Sequence, residues 1–246
     1  MYLLPAQSTI GRVFSYGGGV QSNAVLVLQA TGKLTSPYDA FVFANVGADS
    51  ENPATLDYVE TVAKPYAAKH GIRFVEVQKM TFGKPETLYS YMYRTPKSVP
   101  IPVFFEGSGY GRRACTVKWK LDVVDAWIAS QGWQYTTIGL GISVDEWHRA
   151  RDTQWHARNG LNIRRMYPLL SLKLRRADCL RLVADAGLPE PPKSACWFCP
   201  FTKSNEWVEL KRNNPDLFQK AIELEQHINT KRPGNAPAFL HRSRRP

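Results

Sequence analysis

Three consecutive glycines, Gly17, Gly18 and Gly19, constrain this chain more than any other feature. They follow a short β-prone run at 12–16 and precede residues 20–30, whose apolar side chains recur at helical spacing. A glycine-rich turn from strand to helix leaves backbone N–H groups free to face an anion, and the helix dipole behind them favours negative charge. Ser22 adds a hydroxyl donor. No Lys follows the glycines, so the turn is not a Walker A loop. Nor is it G-x-G-x-x-G with an acidic residue about twenty positions on, which disfavours a dinucleotide fold.

Downstream, strand-like and helix-like stretches alternate. Residues 39–46 form a continuous apolar run, the pattern of a strand buried on both faces. Asn52 and Pro53 then open a helix with Leu56, Val59, Ala63, Tyr66 and Ala67 on one stripe, which Pro65 should kink. Residues 72–77, 135–142 and 165–169 read as further strands, and 117–129 as an amphipathic helix. This order predicts an α/β fold, a Rossmann-like parallel sheet with helices on both faces. The expected domains are 1–169 for the α/β part, 170–230 for a small helical cysteine-containing module, and 231–246 for a loosely held basic tail. Residues 94–111, rich in Pro and Gly, read as a long irregular loop of the kind that forms lids.

Charge narrows the partners. Thirty-two basic against 21 acidic residues give +11. The excess is clustered: nine Lys or Arg against two Asp between 149 and 181, and five basic residues with no acid from 231 onward. Such clusters suit a polyanionic partner, DNA or RNA. No run approaches 18 apolar residues, so no membrane span is expected, and the N-terminus lacks the basic start of a secretory signal. A cytoplasmic location follows as the expectation.

Four cysteines remain: Cys115, Cys179, Cys196 and Cys199. In a reducing compartment a C-x-x-C suggests metal or redox chemistry rather than a structural disulfide. Four thiolates suit an iron–sulfur cluster or Zn²⁺, and spacing does not separate the two. Cys179 is ambiguous: with Leu182, Val183 and Ala186 it also forms an apolar helical stripe, so a buried core thiol is the alternative to a ligand there. Trp147, Trp155 and Trp207 are read as core packing rather than base-stacking groups.

Residues 17–22 (Gly-Gly-Gly-Val-Gln-Ser) resemble the pyrophosphate loop, Ser-Gly-Gly-x-Asp-Ser, of the PP-loop ATP pyrophosphatase superfamily, which includes the sulfonucleotide (adenylylsulfate and phosphoadenylylsulfate) reductases. Four more stretches resemble that family in order: Phe43-Ala-Asn-Val-Gly47-Ala-Asp-Ser-Glu51, Arg113-Ala-Cys115-Thr-Val-Lys118, Gly141-Ile-Ser-Val-Asp145-Glu146-x-x-Arg149, and Tyr167-Pro168-Leu169 ahead of the last cysteines. The cysteine arrangement looks most like the DNA-phosphorothioation and phage-borne iron–sulfur branch. Gly17, Gln21 and Asn45 depart from the pattern, replacing Ser, Asp and Asp.

The resemblance implies an adenine nucleotide α-hydrolase type of fold and an enzyme that adenylates an acceptor for sulfur transfer, releasing pyrophosphate. It implies ATP binding by Ser15, Gly17, Gly18, Gly19, Gln21, Ser22, Phe43, Ala44 and Asn45, catalytic roles for Asp145, Glu146 and Arg149, and Mg²⁺. A [4Fe–4S] cluster would sit on Cys115, Cys179, Cys196 and Cys199, with Zn²⁺ as the alternative. The acceptor would be nucleic acid and the sulfur donor a protein such as a cysteine desulfurase. A sulfonucleotide reductase is the alternative enzyme, disfavoured because no cysteine follows Cys199 to attack a sulfonucleotide. A non-catalytic nucleotide-sensing or DNA-binding subunit is the third reading, suggested by Gly17 and Gln21.

Overall fold

A computed structural model of the chain describes residues 10–107, 109–232 and 234–244. The chain divides into two compact units. The first combines the chain up to Asn45 with Ala54–Val77 and Asp122–Ser194; the second combines Val46–Pro53, Gln78–Leu121 and the chain from Ala195. The principal helices in chain order are α1 Val20–Ala30, α2 Leu88–Arg94, α3 Asp122–Ser130, α4 Arg176–Asp185, α5 Ser204–Asn213 and α6 Pro215–Thr230. Among the described residues no helix is long and apolar enough to cross a membrane.

The first unit is built on a six-stranded sheet. Its strands are β1 Ile10–Tyr16, β2 Ala40–Asn45, β3 Phe74–Gln78, β4 Tyr135–Leu140, β5 His156–Arg158 and β6 Leu161–Met166, in spatial order β3-β2-β1-β4-β6-β5. β1 pairs parallel with β2 and β4, and β4 parallel with β6, while β5 returns antiparallel along β6. Alternate strand residues point to opposite faces. Phe14, Tyr16, Phe41 and Phe43 therefore pack on one face with α1, α4 and the helical run 53–69. Val13, Ala40, Val42 and Ala44 pack on the other with Val124 and Ile128 of α3. The mixed α/β fold, mostly parallel with helices on both faces, is the one expected.

Two local departures have physical causes. Pro65 does not break its helix, because the chain widens into a π turn over Val59–Ala63 just before it and resumes as Lys64–Lys69. A proline early in that last segment removes an N–H the widened turn does not need. The expected helix 117–129 opens on a second π turn, Val117–Leu121, before α3. The strand expected at 165–169 lies earlier, as β6, because Pro168 starts a short helix, Pro168–Ser171.

The second unit has its own apolar core of Val46, Leu88, Met92, Ile101, Val103, Trp119, Trp197, Phe198, Trp207, Ala221, Leu224, Ile228 and Leu240. Ile101 and Val103 anchor the 94–111 loop there, so it is not a free lid. Nor is the segment after Thr230 a loose arm. Ala238–Phe239 pairs antiparallel with Phe104–Phe105, Asn229 bonds the backbone N–H and C=O of Ala238, and Leu240 is buried. Composition misled here, since a Pro- and Arg-rich stretch hides two buried apolar residues. The boundary expected at 169/170 does not coincide with the division into units, because α4 packs in the first unit's core and α5 and α6 in the second's.

Candidate nucleotide-binding site and the cysteine segment

In the first unit the sheet order reverses between β1 and β4. Ligands of open α/β sheets bind outside the carboxyl ends of the strands at such a point. Gly17–Gly19 leave the end of β1 there, and residues 141–149 leave the end of β4. Gly18 has φ +82°, and a Cβ on it would stand 2.8 Å from Thr55 Cγ2. Only glycine suits that position. The N–H of Gly17 donates to Ser22 Oγ at 2.9 Å. Gly19 is the N-cap of α1, and no side chain caps the helix. Its first-turn N–H groups therefore lack a side-chain acceptor and suit an anion.

The residue that holds the loop in this shape is Asn23, which sequence reading did not single out. It is fully buried; its amide donates to the carbonyl of Gly19 at 3.0 Å and its Oδ1 accepts from the Tyr16 hydroxyl at 2.7 Å. A polar residue inside an otherwise apolar helix start was the available signal. Ser194 was missed as well. It stands over the loop, its Cβ 3.6 Å from where a Gly18 Cβ would be, and no spacing rule links positions 18 and 194.

Asp145, Glu146 and Arg149 lie on the 3-10 turn Val144–Arg149. Asp145 accepts the backbone N–H of Arg176 at the start of α4, which gives it a capping role. Glu146 pairs with Arg149 and accepts from the Gln21 amide at 3.3 Å, and Arg176 reaches Gln21 Oε1 at 3.4 Å. The ion pair on this turn joins Glu146 to Arg149. Gln21, the departure from the usual Asp, links the loop to one carboxylate and one guanidinium.

Ser15 lies on β1, half-buried, in register with Val42 and Leu140. Phe43 and Ala44 do not present side chains to a ligand. Phe43 is buried against Tyr16 with ring centroids 6.2 Å apart, and Ala44 packs into the opposite core. Asn45 donates to Glu76 Oε1 at 2.7 Å. Of these three, the backbone at the end of β2 is the part suited to a base.

The cysteines correct the four-ligand expectation. Cys179 is fully enclosed in the first unit's core beside Val183, and burial raises its thiol to about 12. A thiol enclosed among apolar side chains is a core residue, not a thiolate ligand. Cys115, Cys196 and Cys199 all belong to the second unit, where Cys115 and Cys196 pack against its aromatic core. Glu51 forms an antiparallel bridge with Cys196 and is fully buried; Lys120 Nζ lies 3.9 Å from its Oε2. Burial depresses the Lys120 ammonium, but Glu51 and the three thiols outweigh it and raise its pKa. Burial, then Glu51, pushes the Cys196 thiol well above its ordinary value. Cys196 thus lies beside the buried Glu51 carboxylate, which the half-exposed Lys120 ammonium faces. Among the described residues no group of three or more His, Cys, Asp or Glu is arranged to hold a metal ion. The donor set does not fit a four-cysteine cluster or zinc site.

The tryptophans divide. Trp207 is in the second core, Trp155 packs on Tyr135 under Arg164, and Trp147 is 69% exposed, against the expectation of core packing.

No family model matches the chain, and no curated protein matches it. Among solved structures it is similar to the U34-tRNA thiolase NcsA from Methanococcus maripaludis with its [4Fe-4S] cluster, at 13% identity over 91% of this chain and 74% of that one, with a TM-score of 0.49. A similarity of that size decides neither reaction nor ligand, which have to come from the residues.

Proposed function

We propose that the chain is an ATP pyrophosphatase of the PP-loop type, adenylating a nucleic-acid acceptor for sulfur transfer. The observation that carries this reading is the uncapped glycine turn at the sheet's switch point, braced by Asn23 and flanked by Arg149 and Arg176. The β- and γ-phosphates would lie on the N–H groups of Gly17–Gly19 and the start of α1, with Ser22 Oγ, already an acceptor from Gly17, turning its hydroxyl proton outward. The adenine would meet the backbone at the end of β2.

With the phosphates held there, an oxygen of the acceptor attacks the α-phosphorus. The new O–P bond forms as the bond to the bridging oxygen breaks, and pyrophosphate leaves with that electron pair. Arg149 and Arg176 would stabilise the charge on the leaving group. Mg²⁺ needs one or two carboxylates besides the phosphates. Glu146, partly exposed beside the loop, is the one placed to meet it, and the ion would supply charge neutralisation when bound. A sulfur nucleophile from a donor protein then displaces AMP from the activated acceptor.

Asp145, spent on α4, is a positioning residue in this scheme. The test is the product of ATP turnover in the presence of single-stranded nucleic acid. Pyrophosphate is expected, with AMP retained on the acceptor until a sulfur donor releases it; ADP and phosphate would mean cleavage at the wrong bond and would overturn the reading.

A further inference from the structure

The second unit carries a cavity that the adenylation chemistry does not use. It is open, about 430 Å³, and within the roughly 300–1,000 Å³ typical of small-ligand sites. Three aromatic residues, Phe104, Tyr110 and Phe201, line it together with Lys203, Arg242 and Arg244. Among the described residues no acidic side chain lines it. Phe201 is the hub of the aromatic set: its ring lies edge-on to Tyr110 at 5.2 Å and to Phe104 at 6.3 Å, and the Arg113 guanidinium sits 5.2 Å from its centroid.

Exposure makes the cluster unusual. Tyr110 is 60% and Phe201 37% exposed, although the same unit encloses Trp119, Trp197 and Phe198 completely or nearly so. Rings left at the surface among cations bring together two things a single strand needs. Bases stack on any aromatic face, and phosphates follow the positive charge. Duplex DNA, its bases already stacked and paired, would use only the cations.

We infer that this cavity binds an unpaired base of a single-stranded nucleic acid, stacking it on Phe201 and Tyr110 while Lys203, Arg242 and Arg244 hold the flanking phosphates. The inference rests on the reading of the acceptor as nucleic acid and names the form in which that acceptor is held. The aromatic groups are Phe201 and Tyr110 rather than any tryptophan, and two of the three cations, Arg242 and Arg244, come from the packed segment after Thr230.

Fluorescence anisotropy with a labelled 12-nucleotide single strand, without ATP, tests it on the full-length protein. Phe201→Ala and Tyr110→Ala should each weaken binding about ten-fold at fixed salt. A strand with abasic sites throughout should bind the wild type weakly and be insensitive to either substitution. Arg242→Gln should leave base dependence intact and lower the slope of log affinity against log salt by about 0.7. Thermal unfolding checks that each variant is folded, and unchanged ATP affinity checks that the first unit is intact. If both aromatic variants bind as the wild type does, the cavity is not the base site, while the acceptor reading survives. If the intact protein prefers duplex, this inference fails while a nucleic-acid acceptor stands; if it binds neither single strand nor duplex, both fail together. ATP cleavage to pyrophosphate would still stand as a separate result.

Discussion

Gly18→Val should abolish measurable ATP binding, with a loss of affinity of more than about 100-fold. A β-branched residue at φ +82° is strained by about 1–3 kcal/mol, and its Cβ would press within 2.8 Å of Thr55 Cγ2. The backbone can relieve that only by rotating the loop, which turns its N–H groups away from the phosphates. Losing two charge-assisted hydrogen bonds at about 1.5–3 kcal/mol each accounts for the predicted factor. Calorimetric titration with ATP measures it. Ser22→Ala is the milder partner, since it removes the acceptor for the Gly17 N–H without adding bulk. It should cost about ten-fold. Thermal unfolding within a few degrees of the wild type would show that the loss is local. Gly18→Val binding ATP normally would remove the loop from the account.

Truncation after Thr230 should unfold the second unit rather than merely strip charge from it. The removed segment contains the strand paired with Phe104–Phe105, the buried Leu240 whose N–H bonds Glu225, and Arg232 stacked 4.6 Å from the Phe105 ring. Burying one leucine is worth about 1.5–3 kcal/mol. With the strand and Ala238 lost as well, the cost should exceed about 4 kcal/mol, a large share of the 5–15 kcal/mol that stabilises a typical protein. Hydrogen exchange should show α5 and α6 losing protection while β1, β2 and β4 keep theirs. A truncated chain with unchanged protection throughout would mean that the segment is dispensable.

Much of the first unit was legible in the sequence because its physics is local. β2 is buried at every position, so its apolar run needed no partner to be recognised. The glycine turn announced itself by composition, whereas the stripe holding Cys179 left a core thiol and a metal ligand both open, and only the packing decides for the core. What stayed hidden depends on distant contacts. Asn52 N–H bonds the Ala195 carbonyl and Trp197 Nε1 the Asp49 carbonyl, so residues 46–53 belong with the C-terminal segment for reasons no window of sequence contains. Glu51 entered only as the end of a motif, and its full burial beside Cys196 has no sequence signal. The two π turns have no composition of their own. Phe43 was read as a ligand contact from a motif, where burial against Tyr16 gives it a packing role.

The central claim is that the α-phosphorus of ATP, held at the Gly17–Ser22 turn, is transferred as AMP to a nucleic acid. Label transfer tests it most directly. The protein is incubated with a single-stranded polynucleotide and ATP labelled at either the α- or the γ-phosphate, with the sulfur donor withheld so that the adenylated acceptor accumulates. The account predicts label on the polynucleotide from α-labelled ATP alone, equimolar pyrophosphate in solution, and neither product from Gly18→Val. Label arriving from the γ-phosphate, or ATP consumed with no label on the polynucleotide, would contradict it.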